Sequence, residues 1–183
     1  DKAFMEQRAP TYLHLEQSSD LAARALASVG IKPQQLVQGL APCVVNTGNS
    51  FLILPLRSES DLHSLAPDQT QIEAVSDALD LIGFYAFTRT TKLAGRHAGA
   101  RMFAPRFGIP EEAGTGMAAG PLACYLHDFM QLSETSIFVE QGWLMPAPSP
   151  SVIEVHLDVV DHKITGLKAG GRARVFSSFE LEL

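Results

Sequence analysis

Two adjacent carboxylates, Glu111 and Glu112, run into the glycine-rich stretch "AGTGMAAG" at residues 113–120, and from there into a segment apolar on nearly every side. A carboxylate beside unpaired backbone amides can hold a small acid and move a proton on it. The amides would come from a helix start. Pro121 lacks an N–H and is best tolerated in a first turn, so the regular helix begins within a few residues before it. Residues 114–120 then present free N–H groups and the positive end of the helix dipole, which suit a carboxylate. Gly114, Gly116 and Gly120 allow close approach of a ligand to the backbone, and Thr115 and Met117 stand between them. The plain alternatives are a tight corner before a core helix and a solvated acidic loop. A second polar candidate is Asn46-Thr47-Gly48, which divides the apolar runs Cys43–Val45 and Phe51–Leu56 and reads as a cleft wall or as a structural turn.

Other chemistries have weaker footing. Cys43 and Cys124 are too few and too isolated for a disulfide framework or a zinc site and read as buried free thiols. The six histidines never fall at H-x-H or H-x-x-x-H spacing, so no metal is expected. His97 and His127 read as structural, and Arg101 as the holder of an ion pair or of backbone carbonyls.

The elements that must position these residues are strands with a few helices between them. With 46% apolar residues in 183, one sizeable core or two small lobes can form. Apolar positions and turn residues predict strands in "AFMEQ", at Cys43–Val45 and Phe51–Leu56, in "FYAFTRTT", "AGARMFAPRFGI" and "SIFVEQGW", and at Val152–Val159, Lys163–Ala169, Ala173–Phe176 and Phe179–Leu183, with a turn at Gly170-Gly171. Short helices are expected in "SSDLAARALASVG" and "SESDLHSLAPD". A longer one carries Ile72, Val75, Leu79 and Ile82 on one face, with Gly83 ending it. The alternation is not βαβ, so the class is α+β. Because the segment about Ala118–Leu132 is apolar all round, it should be buried all round, which suggests a mixed sheet rolled around one central helix.

Charged residues make up 19% with a formal net charge of -6, and the scattered Lys and Arg offer no footprint for nucleic acid or an anionic membrane. The longest nearly uncharged run, residues 113–126, is too short to span a bilayer. A cytoplasmic protein with a small-molecule partner is the expectation.

The run "RMFAPRFGIPEEAGTGMAAGPLACYL", residues 101–126, resembles the "R-x-F-A-P…G-x-x-E-D-P-A-T-G-S-A…L-x-x-Y-L" signature of the PhzF-like (phenazine-biosynthesis-like) isomerases, relatives of diaminopimelate epimerase. "VVNTGNSFLILPLRSESDLHSLAPD", "FYAFTR", "FVEQG" and a closing strand pair follow that family's order, from about Pro10 to Leu183. The resemblance implies a two-lobed fold, each lobe a sheet around a helix, with a substrate cleft at the two helix N-termini. It also implies proton-shift isomerisation of a small carboxylic acid, best known on a dihydro-hydroxyanthranilate, without metal or organic cofactor.

Carried over by position, Glu112 falls on an Asp that helps hold the substrate and its proton-transfer network. Gly116 falls on a Gly whose amide faces the substrate carboxylate. Met117 falls on a Ser, so a hydroxyl is replaced by a thioether, and Glu for Asp lengthens an arm by one methylene. The family's "G-R-P-S" after "Q-G" is replaced by "WLMPAPSPS". Its catalytic Glu and Gly-His pair, which belong to the N-terminal lobe, find no counterpart.

The chain therefore reads as residues 1–15, the tail of an N-terminal lobe; 16–165, a C-terminal lobe; and 166–183, closing strands that can cross back to the first lobe. The leading functional expectation is an isomerase with Glu112 catalytic and Gly114, Thr115, Gly116, Met117, Asn46, Thr47 and Gly48 binding substrate. Its acid/base would come from the N-terminal lobe, with a homodimer or a complementing lobe completing the cleft. The alternative is a non-enzymatic binding or assembly protein on the same lobe. A racemase or epimerase would need two thiols across a cleft, and Cys124 lies too deep along its helix for that.

Overall fold

The computed structural model describes residues 1–16, 19–175 and 177. In chain order the elements are β1 (Lys2–Arg8), β2 (Thr11–His14), α1 (Asp20–Ser28), β3 (Cys43–Asn46), β4 (Ser50–Leu56), α2 (Glu59–His63), α3 (Gln69–Leu79), β5 (Gly83–Thr88), β6 (Ala98–Ala104), β7 (Ile109–Glu112), α4 (Gly116–Met130), β8 (Ser136–Gln141), β9 (Ser151–Val160) and β10 (Lys163–Arg172). The class is α+β, as the sequence implies. All strands join one mixed sheet in the order β1-β10-β9-β8-β6-β5-β4-β3-β2, with β7 added on β6. The pairs β4–β5 and β6–β8 are parallel.

The chain itself forces this sheet to curl. Laid flat, nine strands would put β1 and β2 about 38 Å apart. Yet these edge strands are consecutive, joined only by Ala9 and Pro10, which limits the Arg8–Thr11 Cα separation to about 11 Å. The Arg8 N–H donates to the Thr47 carbonyl at 2.9 Å and ties β1 to the β3–β4 turn.

Period-two alternation sends side chains of the middle strands into two separate cores. Phe51 and Ile53 of β4, with Tyr85 and Phe87 of β5, pack in the core that contains Ala118 to Leu126 of α4. Leu52, Leu54, Phe84 and Ala86 pack in the core with Ala22, Ala25 and Leu26 of α1 and Ile72 and Val75 of α3. The picture of one helix serving the whole sheet is thus too simple. Helices cover both faces, and the expected helix closes at Met130, with Gln131 left-handed at its C-cap.

Several expected boundaries move. Helix α3 stops at Leu79 with Asp80 left-handed, so Ile82 and Gly83 are not part of it. Gly83 instead opens β5, where a Cβ would lie 2.3 Å from the Phe103 carbonyl oxygen. Gly170 and Gly171 form no turn. They pair with Phe4 and Ala3 of β1, and a Cβ on Gly170 would sit 1.9 Å from the Ala3 carbonyl oxygen. Both glycines serve close strand approach. Residues 173–175 carry no strand, and the strand expected at Phe179–Leu183 lies outside the described residues. Among the described residues no helix is long and apolar enough to cross a membrane.

Candidate functional site

Helix α4 begins where the sequence places it, but its start is unusual. Thr115 is the N-cap residue, with φ -131° and ψ 92°, and its side chain makes no capping hydrogen bond. Its hydroxyl donates instead to Glu112 Oε2 at 2.5 Å. Ala118 and Ala119 N–H turn back to the Thr115 carbonyl. No hydrogen bond among the described residues occupies the amides of Gly116 and Met117. The result is a helix N-terminus with two donors open and one carboxylate beside them.

A side chain that sequence reasoning missed holds this arrangement together. Gln141, at the end of β8, is 1% exposed. Its Oε1 accepts from the Tyr85 hydroxyl at 2.8 Å and from Thr115 N–H at 3.1 Å. Its Nε2 donates to the Glu112 carbonyl at 2.7 Å and the Thr115 hydroxyl oxygen at 3.1 Å. One amide thereby positions both Glu112 and the helix start. Burial first, and the Glu112 charge second, push the Tyr85 phenol upward, so it remains a neutral donor. The only sequence signal for Gln141 is its place in "FVEQG".

The adjacent carboxylates part company because successive strand residues face opposite sides. Glu111 turns away from the helix and pairs with Arg101 through both oxygens, Nε to Oε1 at 2.8 Å and NH2 to Oε2 at 2.9 Å. Arg101 also donates to the Leu62 and Leu65 carbonyls. Arg101 is thus structural, as expected, while the sequence-level picture of two carboxylates at the helix end reduces to Glu112 alone.

The β3–β4 turn faces the helix start from across the sheet seam. The Thr47 hydroxyl donates to Gln7 Oε1 at 2.7 Å, and Gln7 Nε2 donates to the Gly116 carbonyl at 3.1 Å. Asn49 Nδ2 donates to the Met117 sulfur at 3.5 Å. Asn46 braces the turn itself, donating to Ser50 Oγ and accepting from Gly48 N–H, both at 2.8 Å.

Two open grooves flank the N-terminus of α4. One, of about 340 Å³, is lined by Gln7, Arg8, Thr47, Gly48, Asn49 and Met117 among others. The second, of about 830 Å³, includes Lys2, Arg96, Gly114, Gly116, Glu154 and Arg172. The structure therefore brings Thr47, Gly48, Gly114, Gly116 and Met117 to the two grooves. It leaves Thr115 buried between them and Asn46 behind its own turn.

The remaining candidates are structural. His97 Nδ1 accepts from Phe138 N–H at 2.9 Å, and His127 Nδ1 lies 2.7 Å from Asp128 Oδ1. Cys43 and Cys124 are both fully buried in the α4 core. Burial pushes the Cys43 thiol up to about 12 and the Cys124 thiol higher still. Neither is poised as a thiolate.

The family of phenazine biosynthesis-like proteins matches residues 1–178. The chain belongs to the phenazine biosynthesis-like family. Among relatives in that family, an uncharacterized isomerase from Clostridium acetobutylicum is 30% identical over 164 residues, covering 87% of this chain and 54% of the relative. The trans-2,3-dihydro-3-hydroxyanthranilate isomerase of Pseudomonas aeruginosa is 29% identical over 175 residues, covering 94% and 56%. A solved phenazine biosynthesis-like structure, the Bacillus anthracis PhzF-family protein, superposes with TM-score 0.76 at 21% identity, covering 93% of this chain and 57% of that one. A predicted epimerase from Pseudomonas aeruginosa gives TM-score 0.68 at 23% identity, covering 97% and 59%. The chain thus spans about half the length of the family relatives it matches.

Proposed function

We propose that this chain supplies one wall of the site of a cofactor-independent isomerase, which shifts a proton on a small cyclic or amino/hydroxy carboxylic acid. In this reading α4 is the helix about which the lobe's sheet rolls. Its open N-terminus receives the substrate carboxylate on the Gly116 and Met117 amides, an interaction stabilised by about 1 kcal/mol from the helix dipole. Glu112 is anchored through one oxygen by Thr115, and its other oxygen orients the substrate and takes part in the proton path. Gly114, Thr47 and Gly48 border the bound acid. The principal acid/base belongs to a companion N-terminal lobe, and the working unit is a cytoplasmic homodimer or a pair of complementing lobes.

The observation that carries this reading is the diversion of the Thr115 hydroxyl from capping to Glu112. It leaves donors and a fixed carboxylate side by side in a chain of isomerase-like ancestry. The test is proton exchange into deuterated water over a panel of small hydroxy- and amino-acids. It should be run on the chain alone and with a companion lobe from a relative. Exchange should appear with the companion lobe and fall about 100-fold in Glu112→Gln. Unchanged exchange in that variant would falsify the role of Glu112.

One observation favours a second reading, a binding or assembly protein on the same lobe. Met117 is 39% exposed at the mouth of the site, where its thioether accepts from Asn49 and cannot relay a proton. In that case Met117→Ser would leave exchange absent under every condition of the same assay.

A further inference from the structure

The larger groove carries a concentration of positive charge that its own partners do not balance. Lys2, Arg96 and Arg172 line it against one carboxylate, Glu154, in a chain of formal net charge -6. Lys2 is already engaged, with Nζ 2.6 Å from Glu154 Oε2, and the other Glu154 oxygen is held by His156 Nε2 at 2.8 Å. Arg172 stands directly opposite Lys2 in the β1–β10 register, and like charges facing across a strand pair destabilise it. Arg172 has no ion pair among the described residues.

Arg96 is more telling. Its guanidinium carbon lies 5.7 Å from the Phe138 ring centroid, and its Nε is buried without a hydrogen-bond partner. A buried donor left unpaired is costly, and a planar guanidinium fork matches a carboxylate in shape as well as in charge. Gly116 lines the same space as Arg96 and Arg172. One groove of about 830 Å³ therefore reaches Gly116 at the helix start and two arginines, Arg96 with an unpaired Nε and Arg172 without an ion pair among the described residues.

We infer that this groove takes a second carboxylate of the substrate, gripped by Arg96 and Arg172, while the first sits on the Gly116 and Met117 amides. The substrate class is then a small dicarboxylic acid. This inference rests on the proposed carboxylate site at α4 and adds the determinant of specificity next to it. Arg96, rather than Lys2, is the anchor, because Lys2 has its charge neutralised by Glu154.

The test compares butyrate with succinate and glutarate by calorimetric titration of the chain, with the Gly116 amide signal followed by nuclear magnetic resonance. At least one dicarboxylate should bind about tenfold more tightly than butyrate. Arg96→Gln and Arg172→Gln should each remove most of that advantage while leaving butyrate affinity unchanged. Arg96→Lys should keep part of it. Arg89→Gln, an exposed cation lining neither groove, should change nothing. Equal affinity for mono- and dicarboxylates, or an advantage that survives in both arginine variants, overturns this inference and leaves the helix site standing. Arginine-dependent dicarboxylate binding without butyrate binding or movement of the Gly116 amide overturns the helix site itself, and no binding of any of the acids sinks both.

Discussion

The Thr115 hydroxyl donates to Glu112 Oε2 at 2.5 Å instead of capping the helix that Thr115 begins. A helix start usually gains about 1 kcal/mol from a side-chain cap. Here that side chain fixes a carboxylate, and the first-turn amides remain available to a ligand.

Replacing Thr115 separates these roles. Thr115→Val removes the donor to Glu112 and one of the two acceptors of Gln141 Nε2, but no cap, so unfolding free energy should fall by about 1–2 kcal/mol while proton exchange falls at least about tenfold. Thr115→Ser keeps the hydroxyl and should restore exchange. Denaturant titration alongside the exchange assay reads both. A large stability loss with exchange intact would reverse the assignment.

The neighbouring acids should behave in opposite ways. Glu111 and Arg101 form a pair whose side chains are 12% and 8% exposed, and removing one partner strands the other charge. Glu111→Gln should cost about 3 kcal/mol in chemical denaturation. Glu112→Gln should cost under about 1 kcal/mol while lowering exchange about 100-fold. Equal stability losses would contradict the divergence of the two side chains.

Gly170→Ala tests how β1 is held. The added Cβ would fall 1.9 Å from the Ala3 carbonyl oxygen and 2.8 Å from Phe4 Cα, so backbone rather than a mobile side chain must yield. A loss of about 1–3 kcal/mol is expected, together with faster amide exchange along Lys2–Arg8. Unaltered protection in that strand would show that β1 is not held by its pairing with Gly170.

Acid should dissolve the Lys2–Glu154 contact. The hydrogen bond from Lys2, reinforced by the Lys2 and His156 charges, holds the Glu154 carboxyl below its usual value of 4.5. A depressed carboxyl stabilises the fold at pH above its unfolded value, and that contribution disappears as pH falls through the folded value. Glu154→Gln should therefore destabilise by about 1 kcal/mol near neutral pH, and wild type and variant should converge as the pH falls through the lowered folded value of Glu154. A gap that persists in acid would point to lost packing instead.

How much of this was legible beforehand depended on how local the signal was. The apolar run Phe51–Leu56 announced a buried strand, and Pro121 behind a glycine-rich stretch announced the start of α4. The strands β2, "TYLH", and β7, "IPEE", were not legible. One is four residues with no clear period. The other contains a proline and two acids, and β6 supplies its pairing. Gly83 and Gly170 looked like stops because a glycine needed for close approach and one needed for a turn are identical in sequence.

Alone, the sequence determined the strand-rich α+β class, the helix start near Gly116 and the proximity of Glu112 to it, since each depends on residues within one or two turns. Only the tertiary structure decided that Glu111 faces Arg101 and that Gln141, 26 residues from Thr115, holds the site together. It also decided that Arg96 and Arg172 share a groove with Gly116. These relations are made across a curled sheet, where side-chain direction and strand order, not spacing along the chain, set which groups meet.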